Sequence, residues 1–280
     1  MKRIILTGKG SKPPIAAAAA ELLPWLRERC DVVVVDLAME RSLEDVQADV
    51  AVILGGDGAI LSTARRLGGN QIPAIGVNLG KLGFLAELSP VEFRQHFDDI
   101  LAGRFGVSAR SMLACTLRRD GRVVAEHLGL NDVVVSRGAL SRLVTFTLLV
   151  DGRHATTYNG DGVIVSTPTG STAHSLAAGG PVLEPDIEGV VVTPICPHTL
   201  TNRPVVLPAG VQIELLVEKA TVAVGLTVDG QVYEDLAEGD RIAIRKAPKP
   251  FQLITLGLRT YYETLREKLH WGGSTSYGHR

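Results

Sequence analysis

The run Asp49-Val50-Ala51-Val52-Ile53-Leu54 passes directly into Gly55-Gly56-Asp57-Gly58, and this junction limits the fold more than any other part of the chain. Five consecutive apolar residues leave no polar face for solvent, so the run reads as a strand covered on both sides, as in a parallel sheet. Residues Ala59 to Leu67 follow, with Ile60, Leu61, Ala64 and Leu67 at helical spacing and Arg65 and Arg66 on the other face. A strand, a glycine turn and a helix start place unpaired N–H groups and the helix dipole where a phosphate would sit. Glycine suits the turn because a Cβ would hold a phosphate oxygen away from the backbone and would resist positive φ. Asp57 stands out, since a carboxylate beside a polyphosphate repels it. On the residues alone two readings stay open: an ordinary helix N-cap, or a proton acceptor or water-mediated Mg²⁺ ligand.

Two nucleotide motifs fail on inspection. Gly56-Asp57-Gly58-Ala59-Ile60-Leu61 lacks the third glycine of the dinucleotide fingerprint. Gly76-Val77-Asn78-Leu79-Gly80-Lys81-Leu82 is one residue short of a Walker loop and has Leu82 where the Mg²⁺-binding hydroxyl belongs.

A second glycine-rich region, Gly160-Asp161-Gly162, leads through Val163-Ile164-Val165 to Ser166-Thr167-Pro168-Thr169-Gly170-Ser171-Thr172-Ala173. Asp161 is displayed at the mouth of a strand, and the hydroxyl-rich run suits a close-fitting loop. Asn131-Asp132 precedes Val133-Val134-Val135, where an amide and a carboxylate can bind ribose hydroxyls or an adenine edge, or can simply form a turn. Ser171 and His174 lack the G-x-S-x-G setting of a hydrolase.

The period of the pattern changes once along the chain. Strand-like runs at Arg3 to Thr7, Val32 to Asp36, Val50 to Leu54 and Ile72 to Val77 alternate with helical stretches at Ile15 to Arg29, Ala59 to Leu67 and Val91 to Ala102. The last helix is predicted in one piece, opened by a capping box of Ser89 and Glu92 with Pro90 between them. From Met112 to Arg245 strand follows strand, with Asp120-Gly121, Asp151-Gly152 and Asp229-Gly230 as hairpin turns. A short helical turn is expected at Ala173 to Ala178 and a terminal helix at Tyr261 to Leu269. The expected fold class is α/β plus all-β, with a Rossmann-like parallel-sheet domain and a β-sandwich.

Composition narrows the function by exclusion. The formal charge of −1 supplies no basic field for nucleic acid, and the chain has no local Lys/Arg cluster. Cys30, Cys115 and Cys196 are scattered, without the spacing of a zinc site or a disulfide framework, and His198 reads as structural. Ile4-Ile5-Leu6 is too short for a signal segment and no run is long enough to span a bilayer, so neither membrane nor nucleic acid is expected as a partner and a cytoplasmic location is.

The ordered set closely resembles the NAD kinase family over nearly all of residues 1 to 270. It comprises Gly55-Gly56-Asp57-Gly58, Asn78-Leu79-Gly80-Lys81-Leu82-Gly83-Phe84-Leu85, Leu130-Asn131-Asp132, the Gly160 to Ala173 region, Gly179-Gly180-Pro181, Thr193-Pro194-Ile195-Cys196-Pro197-His198 with Asn202-Arg203-Pro204, and Asp229-Gly230-Gln231. The resemblance implies transfer of the γ-phosphoryl of ATP to the 2′-hydroxyl of the adenosine ribose of NAD, with Mg²⁺ or another divalent cation. It implies Asp57 as proton acceptor and Gly55, Gly56 and Gly58 as phosphate cradle. It assigns substrate binding to Gly58, Phe84, Asn131, Asp132, Arg142, Asn159, Asp161, Thr172, Ala173, His174, Ser175, Leu176, Ala177 and Gln231. Asp161 would meet the nicotinamide end, Thr172 to Ala177 the adenosine, and Arg142 would reach in from a neighbouring segment or subunit.

It further implies an α/β domain at 1–105 completed by 248–271, a sandwich at 106–247 that binds NAD, a site in the crevice between them, and a homodimer or homotetramer. Three positions depart from the family pattern: Ala59 in place of Thr, His174 in place of Tyr, and Asp132 in place of Glu. A lipid or sugar kinase of the same superfamily and a non-catalytic NAD(P) sensor are the competing readings.

Overall fold

The computed structural model describes residues 1–80, 83–138, 144–199, 201–219 and 222–270. Lys81, Arg142 and the Gly272 to Arg280 tail, all singled out in the sequence, lie outside the described residues. The chain divides into two compact units, 1–108 with 252–280, and 109–251.

In the first unit the strands are β1 (Arg3–Gly8), β2 (Asp31–Asp36), β3 (Val50–Leu54), β4 (Ala74–Val77), β5 (Gly106–Arg110) and β18 (Phe251–Thr255), in the order β2-β1-β3-β4-β18-β5. The neighbours from β2 to β18 run parallel, with Leu6 opposite Val52 and Val52 opposite Ile75. β3 is buried at all five positions, which is why its sequence is unbroken by polar residues. Helices α1 (Pro13–Arg27) and α2 (Asp57–Arg66) follow β1 and β3. Strand order reverses direction about β1, so the C-terminal ends of β1 and β3 form the switch point at which ligands of open α/β sheets sit.

The predicted single helix at Val91 to Ala102 is corrected to two, α3 (Pro90–Gln95) and α4 (Phe97–Leu101). His96 leaves helical geometry (φ −101°, ψ 7°), and Asp98 and Asp99 occupy the first turn of the new helix, where acids complement the dipole. Phe93 and Phe97 remain packed edge-on and fully buried beside Trp25. The Ser89–Glu92 capping box is present.

The second unit is a sandwich of two six-stranded sheets. One holds β6 (Leu113–Arg119), β7 (Arg122–Gly129), β9 (Val144–Val150), β10 (Arg153–Gly160), β14 (Ile213–Lys219) and β17 (Arg241–Lys246), in the order β10-β9-β14-β17-β6-β7. The other holds β8 (Asp132–Arg137), β11 (Gly162–Ser166), β12 (Gly189–Ile195), β13 (Val205–Pro208), β15 (Val224–Val228) and β16 (Val232–Leu236), in the order β13-β12-β11-β8-β15-β16. Their inner faces share one core in which Val133, Val135, Phe146, Leu148, Val163, Val165, Leu215, Leu226 and Ile244 are buried. Each such side chain contributes roughly 1.5–3 kcal/mol. The pairs Asp120-Gly121, Asp151-Gly152 and Asp229-Gly230 all take positive φ at both residues, the two-residue turn that matches strand twist.

A short 3-10 turn, Thr169–Thr172, and α5 (His174–Ala177) follow β11. Helix α6 (Tyr261–Leu269) starts at a Thr260–Glu263 capping box.

Candidate active site

In the first unit, β3 delivers the chain to Gly55, whose φ of 137° is left-handed and suits glycine. Gly56 is the N-cap of α2 with no side chain capping it, and a Cβ there would meet nothing within 4 Å, so the turn opens onto space. Asp57 begins the helix. Its carboxylate is not a cap but an anchor for the facing loop: Oδ2 accepts from Phe84 N–H at 2.9 Å, and Oδ1 accepts from Leu85 N–H at 3.0 Å and Ala86 N–H at 3.3 Å. A Cβ on Gly83 would lie 2.0 Å from Asp57 Oδ1, so this close approach requires glycine. The carboxylate is thereby fixed in direction, with Oδ2 accepting one N–H among the described residues. Gly58 is exposed in the first turn of the helix and Phe84 is half-buried in the anchored loop.

In the second unit, three sequence motifs converge on one turn. Asp229, at φ 52°, accepts from the backbone N–H of Leu130 (3.1 Å), Asn131 (2.7 Å) and Asp132 (3.2 Å). Against the other side of that turn lies the Ser166 to Gly170 loop. Thr167 N–H donates to Asn131 O at 2.9 Å, Thr167 Oγ1 donates to Leu130 O at 2.6 Å, and a Cβ on Gly170 would fall 2.1 Å from Asn131 O. The hydroxyls that the sequence offered for a ligand are largely spent on shape: Ser171 donates to Pro168 O, and Ser175 pairs with Thr193 at 2.9 Å. Thr172, Ala173 and Leu176 are half-buried, Ser175 is buried, and His174 and Ala177 are exposed. Gln231 is exposed in the turn after Asp229.

Asp132 is 4% exposed. Burial, with the Asp229 carboxylate adding to it, pushes its carboxyl up to about 7. Asp161 lies at the opposite extreme. Arg137 grips it with Nε on Oδ1 at 2.6 Å and Nη2 on Oδ2 at 3.1 Å. That hydrogen bonding outweighs burial and holds the Asp161 carboxyl below its ordinary range, helped by the charges of Arg137 and His198 and by the Cys196 thiol. Asn159, exposed on β10, accepts from Thr145 Oγ1 at 2.8 Å. Sequence reasoning missed Arg137 and the anchoring role of Asp229. A lone arginine after an apolar run has no signature, whereas an acid in a hairpin turn facing an Asn-Asp turn could have suggested the second.

A glycine turn opening a helix on a Rossmann-like unit, carried on one chain with a sandwich that gathers amide and carboxylate groups at a glycine-packed loop, has the parts of a nucleotide-handling phosphotransferase. Family models agree: the ATP-NAD kinase N-terminal domain matches residues 35–105 and the ATP-NAD kinase C-terminal domain residues 130–256. The chain belongs to the NAD kinase family, and it is an enzyme of that activity, with ATP as donor and NAD as acceptor. The NAD kinase of Geobacter metallireducens is 44% identical over 97% of this chain and 99% of its own. Yeast NADH kinase complexed with NADH superposes with a TM-score of 0.90 at 27% identity, covering 100% of this chain and 90% of that one. An NAD kinase from Archaeoglobus fulgidus in complex with ATP gives 0.74 at 26% identity, covering 96% and 97%. The lipid or sugar kinase reading falls with this assignment.

Proposed function

We propose that Asp57 is the proton acceptor for the 2′-hydroxyl of the adenosine ribose as the γ-phosphoryl leaves ATP. The observation that carries this is the fixed carboxylate: three backbone N–H groups orient it, and Oδ2, with one of them, keeps lone-pair capacity for an incoming hydroxyl. A ribose hydroxyl is a weak acid, and a loose phosphoryl-transfer transition state asks mainly for positioning, charge neutralisation and removal of that proton. The turn of Gly55, Gly56 and Gly58 receives phosphate oxygens on backbone N–H groups at the start of α2.

The second unit supplies the dinucleotide contacts. Asn131, Asp132 and the residues from Thr172 to Ala177 serve the adenosine, Asn159 and Asp161 serve the nicotinamide end, and Phe84, Gln231 and Arg142 contribute at the margins. Among the described residues no three His, Cys, Asp or Glu side chains stand close enough to cage a metal ion. A Mg²⁺ ion would arrive with ATP, and Asp57 is the carboxylate that would face it at the glycine turn. Bound there, the ion would neutralise charge on the transferring group. Among the described residues no helix is long and apolar enough to cross a membrane. The proposed setting is a cytoplasmic homodimer or homotetramer.

The test is Asp57→Asn, which keeps shape and removes basicity. Turnover should fall by roughly 10²-fold or more with NAD affinity little changed. Near-normal turnover would remove Asp57 from the chemistry, and a non-catalytic sensor would show no NADP formation in the wild type.

A further inference from the structure

The strand pairing that carries Asp161 is unusually tight. Asp161 N–H donates to Ile195 O on β12 at 3.0 Å, and Asp161 O accepts from Arg137 N–H on β8 at 2.9 Å. Glycines flank it because neither neighbour has room for a side chain. A Cβ on Gly160 would meet Ile195 O at 2.9 Å, and one on Gly162 would meet Val135 O at 2.4 Å. The backbone at position 161 is thus held from both sides, and only the side chain retains freedom.

Arg137 removes that freedom. Its planar fork takes one N–H to each carboxylate oxygen, while Nη1 donates to Gly138 O at 3.3 Å and so ties the guanidinium to its own strand. A carboxylate has about four lone-pair positions, and a bidentate arginine uses two. The Cys196 thiol takes part in the same hydrogen bonding, and the acceptor capacity left for a ligand is set in direction by the fork. The guanidinium charge also compensates the carboxylate, so an anionic diphosphate approaching this end meets no unbalanced acid. The pair is partly exposed, with side chains at 23% for Arg137 and 30% for Asp161, so ligand access is retained.

We propose that Arg137 is the positioning residue for Asp161, presetting the direction of its remaining acceptor capacity and cancelling its charge so that it can bind the dinucleotide. The inference rests on the reading that Asp161 engages NAD. In this role Arg137 acts through the carboxylate it holds. Lysine cannot replace it, because an ammonium group offers a point charge and no planar fork.

The experiment is a double-mutant cycle on the full-length enzyme, reading NAD dissociation constants by calorimetry together with KM and kcat. Asp161→Ala should weaken NAD binding roughly 10-fold or more, the loss of a charged hydrogen-bonding partner. Arg137→Ala should give a similar loss in the dissociation constant and in KM, with kcat changed by no more than about threefold. The two changes together should be no worse than Asp161→Ala alone, because the arginine acts only through that side chain. Arg137→Lys keeps charge and stem, and should recover folding while remaining weakened for NAD.

Unaltered NAD affinity in Asp161→Ala would overturn the reading of Asp161 itself. If Asp161→Ala weakens binding but the two losses multiply in the double variant, Arg137 acts elsewhere and the positioning role is refuted. Wild-type affinity in Arg137→Lys would equally refute the need for the fork.

Discussion

Asp132 links protonation to folding stability in a way that can be measured without any substrate. Its carboxyl is raised from an ordinary 3.8 to about 7, first by burial and second by the Asp229 carboxylate. Between these values the folded chain keeps a proton that the unfolded chain has released. Stability contributed by this group is therefore fully present below about pH 4, is lost progressively as pH rises towards 7, and stays lost above it. Three pH units at 1.36 kcal/mol each amount to a cost on the order of 4 kcal/mol at pH 8. Asp132→Asn removes the titration and keeps the shape. Its stability relative to wild type should rise by about 2–3 kcal/mol between pH 5 and pH 8, and level off beyond. A constant penalty for the amide shifts that curve without changing its slope. Urea titrations at a series of pH values give the answer. They should be followed by far-ultraviolet circular dichroism, because residues 109–251, which make up the second unit, contain no tryptophan. Parallel pH profiles for the two proteins would refute the reasoning, since they would mean that Asp132 changes its protonation equally in the folded and unfolded chains.

Gly83→Ala places a methyl group against the Asp57 carboxylate and should lower turnover on the order of 10²-fold by displacing it, with an accompanying fall in thermal midpoint; unchanged kinetics would show that the loop can yield. His174 is exposed at the start of α5, so His174→Tyr should keep activity and His174→Ala should raise KM for NAD if its ring lies against the adenine. Equal constants for wild type and His174→Ala would assign it no stacking role. Burial pushes the Cys30 thiol up to about 11 and the Cys115 thiol up to about 12, while Cys196 is exposed. A chromogenic thiol reagent at neutral pH should titrate one cysteine in the native enzyme and three after unfolding.

What was legible in the sequence follows from where the physical constraint resides. β3 and the turn after it were readable because burial on both faces leaves only apolar residues, and because Gly55 needs a positive φ. The hairpin turns were readable for the same local reason. Strands β5, β10, β13, β16 and β18 were not singled out. β10 reads Arg-His-Ala-Thr-Thr-Tyr-Asn-Gly, mostly exposed at a sheet edge, with Tyr158 its one large buried side chain. Its pairing with β9 is made by backbone, and backbone groups are common to every residue. The same limit applies at the candidate site. Asp57 was found as a carboxylate in a glycine turn, but the donors that fix it are N–H groups 27 to 29 positions further on, which carry no sequence signature. The hydroxyls of Ser166 to Thr172 were visible as a cluster, whereas their inward direction depends on Asn131 and Leu130 carbonyls brought up by the sheet.

Four carboxylates show how differently the chain uses one functional group. Asp57 and Asp229 each accept three backbone N–H groups, and the two sets of donors belong to different units, so the same device was built twice: once to steady the loop facing the Gly55-Gly56 turn, once to steady the Asn131-Asp132 turn. Asp161 is held by an arginine fork, which fixes direction and balances charge together. Asp132 is buried beside one of these anchors with no cation to compensate it among the causes of its shift. A protein selected for stability alone would have an amide or an apolar residue there, because an uncompensated buried acid lowers stability at neutral pH. The acid is accounted for if it accepts from hydroxyl donors of the nucleotide. Binding would then favour the ionised form, and NAD should bind Asp132→Asn more weakly than wild type even though the variant folds more stably above pH 7. Stronger NAD binding by the amide variant would show that the acid is not kept for the ligand.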